Sequence, residues 1–223
     1  MLSALLLLRL RVPAPPAGLA RRHLLRDAAD GMRYLLGDRL LRALGVAQLL
    51  AALSAGATSA LLVVYAREAV GVEGTGYGLL LSAIGVGAAM GLLVLVRFLR
   101  SPRRPVFVFG PFLLRGVVDL VLAVTQRLPV AAAALVGYGL ATSTGTVTFN
   151  AMLQSETPDQ VRGRVFAGMD MLWQVGRLAS LGIGATLADT FGIQAVYLLG
   201  GGLLLTAGAY GLLVTRGMTA TRP

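Results

Sequence analysis

Six runs of this chain, at roughly residues 43–65, 77–96, 106–124, 130–151, 165–187 and 194–214, are dominated by apolar residues. Each is long enough to cross about 30 Å of hydrocarbon at about 1.5 Å of helical rise per residue. Lipid offers no water to peptide groups, so a spanning segment must close its hydrogen bonds within a helix or around a closed barrel. These runs are unbroken and rich in Leu and Ala instead of alternating apolar with polar, which excludes the barrel. The sequence therefore specifies an all-α integral membrane protein, six transmembrane helices packed as a bundle.

Composition agrees. The 223 residues are 56% hydrophobic and 13% charged, with a mean hydropathy of +0.76. That is more apolar surface than one soluble domain of this length can bury. The net charge of +10 raises the question of nucleic acid. The Arg residues, however, gather between apolar runs and not along one polar face, so they read as membrane orientation signals and no nucleic-acid partner is expected. Sixteen of the twenty basic residues, all Arg, fall in residues 1–42, 97–105, 152–164 and 215–223. Only Arg67 and Arg127 lie in the opposite loops. The asymmetry predicts a multi-pass protein of the cell membrane with both termini cytoplasmic and residues 66–76 outside.

The absence of cysteine excludes disulfides, Cys-based metal sites and thiol chemistry. With no metal-ligand cluster, no nucleophile beside a base and no close carboxylate pair in the sequence, neither an enzyme nor a cofactor is expected. The single His23, between Arg22 and Leu24, reads as solvated. The opening "MLSALLLLRLRVPAPPAGLARRHLLRD" is not a good secretory signal, because no basic residue precedes its apolar run. Eight apolar residues cover only about 12 Å. The stretch reads as the last turns of a preceding span, then a Pro-rich connector and a basic cytoplasmic segment. The organisation expected is thus residues 1–42 as that lead-in, 43–214 as the six-helix domain and 215–223 as a cytoplasmic tail.

Helix contacts are foreshadowed by small residues spaced four apart, which let helices approach closely in lipid. Gly87 and Gly91 do this on the second run, Gly137, Ala141 and Gly145 on the fourth, and Gly176, Ser180 and Gly184 on the fifth. Thr157, Pro158, Asp159 and Gln160 have the form of a capping box with Pro at the first helical position, so a helix is expected to start there. Arg162 and Arg164 would sit at the membrane interface as orientation anchors or as partners for acidic groups.

Polar residues within the runs are costly unless they face a partner or a wet cavity. Arg115 and Asp119 are one turn apart and are expected to neutralise each other, which favours a structural pair over a transport site. Asp170, Gln174 and Arg177 share a face, but about 10 Å of rise separates the two charges, too far for direct pairing. Each must find another partner: a substrate, a proton, a cytoplasmic Arg or another bundle. Trp173 is placed to stack on Arg177. Gln48, Thr58, Ser59, Tyr138, Thr142, Thr146 and Asn150 add polar groups to the first and fourth runs, where interhelical hydrogen bonding competes with a cavity role.

Three stretches carry a family resemblance: "FNAMLQSETPDQVRGRVFAGMDMLWQVG" (149–176), "GYGLLLSAIGVGAAMGLLV" (76–94) and "DAADGMRYLLGDRLLRALG" (27–45). The chain resembles the C-terminal six-helix half of a major facilitator superfamily transporter, of the bacterial drug and siderophore exporter branch. The resemblance implies a fold of two six-helix halves that alternates between inward-open and outward-open states and exports small molecules against protons. It implies that the first and fourth helices line the central cavity, with Gln48, Tyr138, Thr142 and Asn150 toward substrate, and that the helix of Arg115 lies on the outside. Asp170, Gln174 and Arg177 become coupling or gating residues. In "FLRSPRRP" (98–105), with Gly91 before it, Arg97, Arg103 and Arg104 resemble the family's cytoplasmic loop motif without its acidic position. Together with Arg162 and Arg164 they form the expected cytoplasmic loop set. The implied partners are a small-molecule substrate, the lipid bilayer, and an N-terminal six-helix half or a second copy. Two functions follow: a proton-coupled exporter or half of one, and a non-transporting half that only packs with a partner.

The orientation has a direct check. Cysteines placed singly at Glu73 and at Ser101 should react with a membrane-impermeant thiol reagent from opposite faces; labelling of both from outside would overturn the topology.

Overall fold

The computed structural model describes residues 24–98 and 105–216, with side chains from 31 to 97 and from 105 to 216. The apolar N-terminal stretch, the Pro-rich connector, His23, Arg103, Arg104 and the tail from 217 lie outside the described residues. Among the described residues all regular structure is helical. The helices are α1 (Leu24–Gly37), α2 (Arg39–Ala60), α3 (Leu62–Glu68), α4 (Thr75–Phe98), α5 (Pro105–Val124), α6 (Leu128–Glu156), α7 (Asp159–Phe191) and α8 (Ile193–Arg216). Each apolar run lies on a helix, the first of them on α2 and α3 together. Five helices, α2, α4, α5, α6 and α8, are long and apolar enough to cross a membrane. The longest, α7, has 33 residues but carries Arg162, Arg164, Asp170, Arg177 and Asp189, which lower its apolar character. The protein is an all-α membrane bundle.

The expected lead-in contains a helix that the apolar pattern does not announce. α1 packs on the start of α7, where a Cβ on Gly31 would stand 2.6 Å from the Arg164 carbonyl oxygen. Leu35 anchors it in the core at 1% exposure. Asp38 then caps α2, accepting from the Leu40 and Leu41 N–H groups at 2.8 Å each.

Three helix pairs dominate the packing: α4 on α6, α5 on α8, and α2 on α7, with α2 also against α8 and α5 against α6. Glycines set the closest approaches. A Cβ on Gly87 would collide with the Val136 carbonyl, and one on Gly139 with the Ile84 carbonyl, so α4 and α6 meet backbone to backbone. Gly176 faces Leu49 and Ala52, and Gly184 faces Ala57, while Ser180 Oγ accepts from the Ala57 N–H at 2.9 Å, so that stripe joins α7 to α2. On α6 the expected stripe and a glycine outside it serve different neighbours. Gly139 meets α4, whereas Gly137 and Gly145 face Val118 and Pro111 of α5.

Two apolar clusters fill the bundle. One gathers Leu41, Leu44, Phe109, Phe112, Phe149 and Leu153, the other Leu62, Tyr65, Leu122, Leu135, Val196 and Tyr197. Along α2, α5, α6 and α8 the segments feeding the two clusters are separated by a middle stretch, and Ser54, Arg115, Thr142 and Thr144 lie in it. A polar layer therefore crosses the bundle between two greasy ends.

Carbonyls released from their helices take donors from neighbouring helices. Pro111, inside α5, has no N–H for the Phe107 carbonyl four residues back. Thr148 of α6 supplies one, its Oγ1 lying 2.8 Å from Phe107 O and 2.9 Å from Thr144 O of its own helix, so that one proton is shared between the two carbonyls. At the break between α2 and α3 the Thr58 carbonyl accepts the Tyr197 hydroxyl at 3.0 Å. The capping box expected at Thr157 does not form. Thr157 Oγ1 donates backward to Leu153 O at 2.7 Å, serving the end of α6, and α7 begins at Asp159 after Pro158 with no side-chain cap. Gly192, at φ +83°, makes the one-residue turn into α8.

A Thr148→Val substitution keeps shape but strands the Phe107 carbonyl. It should lower unfolding stability in detergent by about 1–3 kcal/mol. Thr148→Ser should stay near wild type. In a Pro111→Ala background, where an N–H returns to α5, the Val substitution should cost measurably less; equal losses in both backgrounds would refute the compensation.

Candidate functional site

Helix α6 presents Tyr138, Thr142, Thr146 and Asn150 at four-residue intervals, hence along one face. That face forms one wall of a cavity of about 440 Å³. α2 contributes Gln48, Ala55 and Ser59, α5 contributes Pro111, Phe112 and Arg115, and α7 contributes Phe166, Met169, Asp170 and Trp173. Gln48, Tyr138, Thr142 and Asn150, the residues expected at a cavity, all line it. The aromatic walls carry no polar pattern of their own in the sequence. Phe112 and Phe149 are 6.4 Å apart edge to face, and only the proximity of α5 to α6 reveals that they border the same space.

Arg115 and Asp119 do not form an ion pair. The guanidinium lies over the Tyr138 ring, 4.9 Å from its centroid, and Nη2 donates to the Tyr138 hydroxyl at 3.2 Å. Asp119 is 1% exposed, and its Oδ2 accepts from Ser54 Oγ at 3.2 Å. Each charge hydrogen-bonds a neutral partner on another helix, Arg115 on α6 and Asp119 on α2, while the two still act on each other through space. Arg115 Nε and Asp119 Oδ1 are buried with no hydrogen-bond partner among the described residues. Nor is Arg115 on the outside: it is 8% exposed and lines the large cavity. Asp119 lines a second cavity of about 170 Å³, with Thr58, Tyr77 and Tyr197. Ser59 and Tyr138 border both cavities.

On α7 the expected trio separates. Asp170 faces the cavity, while Gln174 and Arg177 do not line it and are exposed. The reason is packing, since α7 closes onto α2 at Gly176 and shuts the cavity beyond Trp173. Asp170 has no ion-pair partner among the described residues, so no latch to Arg162 is made. Arg162 instead pairs with Asp159 at 2.5 Å and donates to the Gln154 and Thr157 carbonyls at 3.3 and 3.2 Å, pinning the turn between α6 and α7. Stacking of Trp173 on Arg177 is replaced by the contact of Arg115 with Tyr138. Arg97 is exposed in the last turn of α4, where a cation complements the helix dipole.

Because the chain has no cysteine, single cysteines report access cleanly. A water-soluble maleimide should label cysteines at Thr146 and Asn150 and spare those at Thr144 and Thr148, which are buried on another face of α6. Equal labelling of the two sets would mean that this face does not border a wet space.

Comparison with known proteins fits this geometry. No curated protein matches the chain. The family model described as transmembrane secretion effector, of the major facilitator type, matches residues 1–220. With that match over nearly its whole length, the chain belongs to the transmembrane secretion effector family of major facilitator membrane transporters.

Proposed function

We infer that this protein is one six-helix half of a secondary exporter of the drug and siderophore type, moving small amphipathic compounds outward in exchange for protons. The observation that carries the reading is the cavity itself. It combines aromatic walls, neutral hydrogen-bonding groups and Asp170, an intramembrane carboxylate without an ion-pair partner among the described residues. Mixed lining of this kind suits an amphipathic substrate, and an acid facing a substrate path is the usual form of a proton relay.

In this reading Asp170 takes and releases the coupling proton. Gln174 and Arg177, on the exposed part of α7, gate the path against a second six-helix body. That body is an N-terminal half or a second copy. The exposed apolar residues of α4 and α7, among them Val86, Met90, Leu93, Val175 and Leu178, support a cover of lipid or of another bundle. The Arg asymmetry supports the plasma membrane with both termini cytoplasmic. Arg97, Arg103, Arg104, Arg162 and Arg164 then face the cytoplasm, where the hold of Arg162 on the α6–α7 turn supports a role in gating.

Everted vesicles carrying the protein together with its companion bundle should accumulate a dye, cationic ethidium or anionic fluorescein, when a pH gradient is imposed. Asp170→Asn should abolish the gradient-driven component and leave passive dye exchange intact. Gradient-driven uptake at the wild-type rate in that variant would remove Asp170 from coupling.

A further inference from the structure

The polar layer contains a charge that the proposed transport scheme does not use. Arg115 is 8% exposed, in the middle of a span, and borders the large cavity. An intramembrane cation persists only with compensation. A guanidinium has five N–H donors in a planar fork. The structure accounts for one direct bond, from Nη2 to the Tyr138 hydroxyl, a neutral acceptor. Nε is buried and has no hydrogen-bond partner among the described residues. Asp119, one turn away, acts on Arg115 through space but gives it no hydrogen bond, being held by Ser54 at the adjoining cavity, and Asp170 makes no ion pair with Arg115. Tyr138 covers one face of the guanidinium, which leaves the donor-bearing edge as the functional side.

We propose that Arg115 is the anchor for an oxyanion group, a carboxylate or its equivalent, on the compound this cavity accepts, so that the ligand class is a monoanionic amphiphile with an aromatic or apolar body. This rests on the transport reading of the cavity and specifies its substrate class. Nε is closed off by burial, so the ligand-facing donors are those of Nη1 and the second N–H of Nη2, whose planar edge matches two oxygens of one oxyanion. Phe112, Phe149, Phe166 and Trp173 provide the surface for the apolar body. Asp170 stands in the same cavity with the opposite sign. Asp170 is exposed where Arg115 is buried, so it is the less costly of the two to leave without a ligand counter-charge, and it disfavours a second negative charge on the ligand. That asymmetry of burial selects the anion.

The chain's sole tryptophan, Trp173, lines the cavity and reports its occupancy. The purified 223-residue protein in detergent is titrated with three heavy-atom quenchers of similar shape: 4-bromophenylacetate, its neutral amide, and 4-bromophenethylammonium. The acid should quench Trp173 saturably, with half-quenching at least roughly tenfold below the concentrations the amide and the amine require, a gap in keeping with one charge-assisted pair. Arg115→Gln should abolish the advantage of the acid while leaving the amide titration unchanged, which shows that the cavity is still formed. Arg115→Lys, which keeps the charge, should retain part of the advantage. The assignment is overturned if the amide or the amine matches the acid in the wild-type protein, or if the preference survives Arg115→Gln. If none of the three quenches saturably, the cavity of this chain is not an anion site and the assignment falls, whereas the transport reading stands or falls on gradient-driven dye uptake in the vesicles that carry the companion bundle.

Discussion

A peptide carbonyl inside a membrane bundle must find a donor from the protein, and the places where α-helical pairing fails decide how these helices lock together. Pro111 withholds a donor from Phe107, and Thr148 crosses from α6 to replace it. The break after Ala60 leaves the Thr58 carbonyl to Tyr197 of α8. At the end of α5 the Thr125 carbonyl accepts the Tyr65 hydroxyl at 3.0 Å. These bonds join helices far apart in sequence and fix their relative height, which apolar contact alone leaves loose. Glycines at Gly87, Gly139 and Gly176 add the complementary requirement, since the backbones must come close enough for such short side chains to reach.

The same rule explains why the polar layer sits where it does. Above and below it the two apolar clusters fill the space between helices with aromatic and Leu side chains. Between them, small residues on α2 and α8 and the Thr-rich face of α6 leave room, and an empty volume lined by Gln48, Thr142 and Asn150 can be wetted. Arg115 falls in that middle stretch, whereas Asp119 stands at its border, between Val118 and Leu122 of the second cluster. Arg115 and Asp119 are tolerated because each reaches a hydroxyl across a helix interface, Tyr138 for one and Ser54 for the other.

How much of this the sequence discloses follows from the range of each force. The six apolar runs are legible because bilayer thickness sets their length, and residues 43–65 remain recognisable even though the structure divides them at Leu61. The cavity residues Tyr138, Thr142 and Asn150 are legible as a four-residue repeat of polar groups, and the α2–α7 seam as a repeat of small ones. α1 is missed because it is amphipathic and too short to span, so a search for apolar runs passes over it, and the partner of its apolar side, α7, is over a hundred residues away. Thr157 is misjudged because a hydroxyl between two helices can serve either, and a one-dimensional motif does not say which carbonyl lies nearer. For Arg115 and Asp119 the i,i+4 spacing correctly signals that the charges act on each other, but not their hydrogen bonds, because Tyr138 and Ser54 are brought in by tertiary packing. Gly137 and Gly139 differ by two residues, about 200° of helical rotation, and only the placement of α4 and α5 on opposite sides of α6 shows which serves which partner.

Tyr138 is where these threads meet. Its ring supports the Arg115 guanidinium, its hydroxyl accepts from the same residue, and it borders both the large cavity and the small one that holds Asp119. It also stands on the four-residue polar face of α6, within two positions of the α4 contact at Val136 and one of that at Gly139. A shift of α6 against α4 therefore moves the Tyr138 ring, and moving that ring changes the surroundings of the buried cation and of the buried carboxylate together. The two charges respond jointly through one shared aromatic side chain rather than through a bond to each other. A direct Arg115–Asp119 salt bridge would hold both charges in place within one helix, insensitive to its neighbours. Distributing their partners over α2 and α6 makes the electrostatics of the polar layer depend on how the helices are arranged, which is the property a protein needs if its conformation is to alter what its cavity holds.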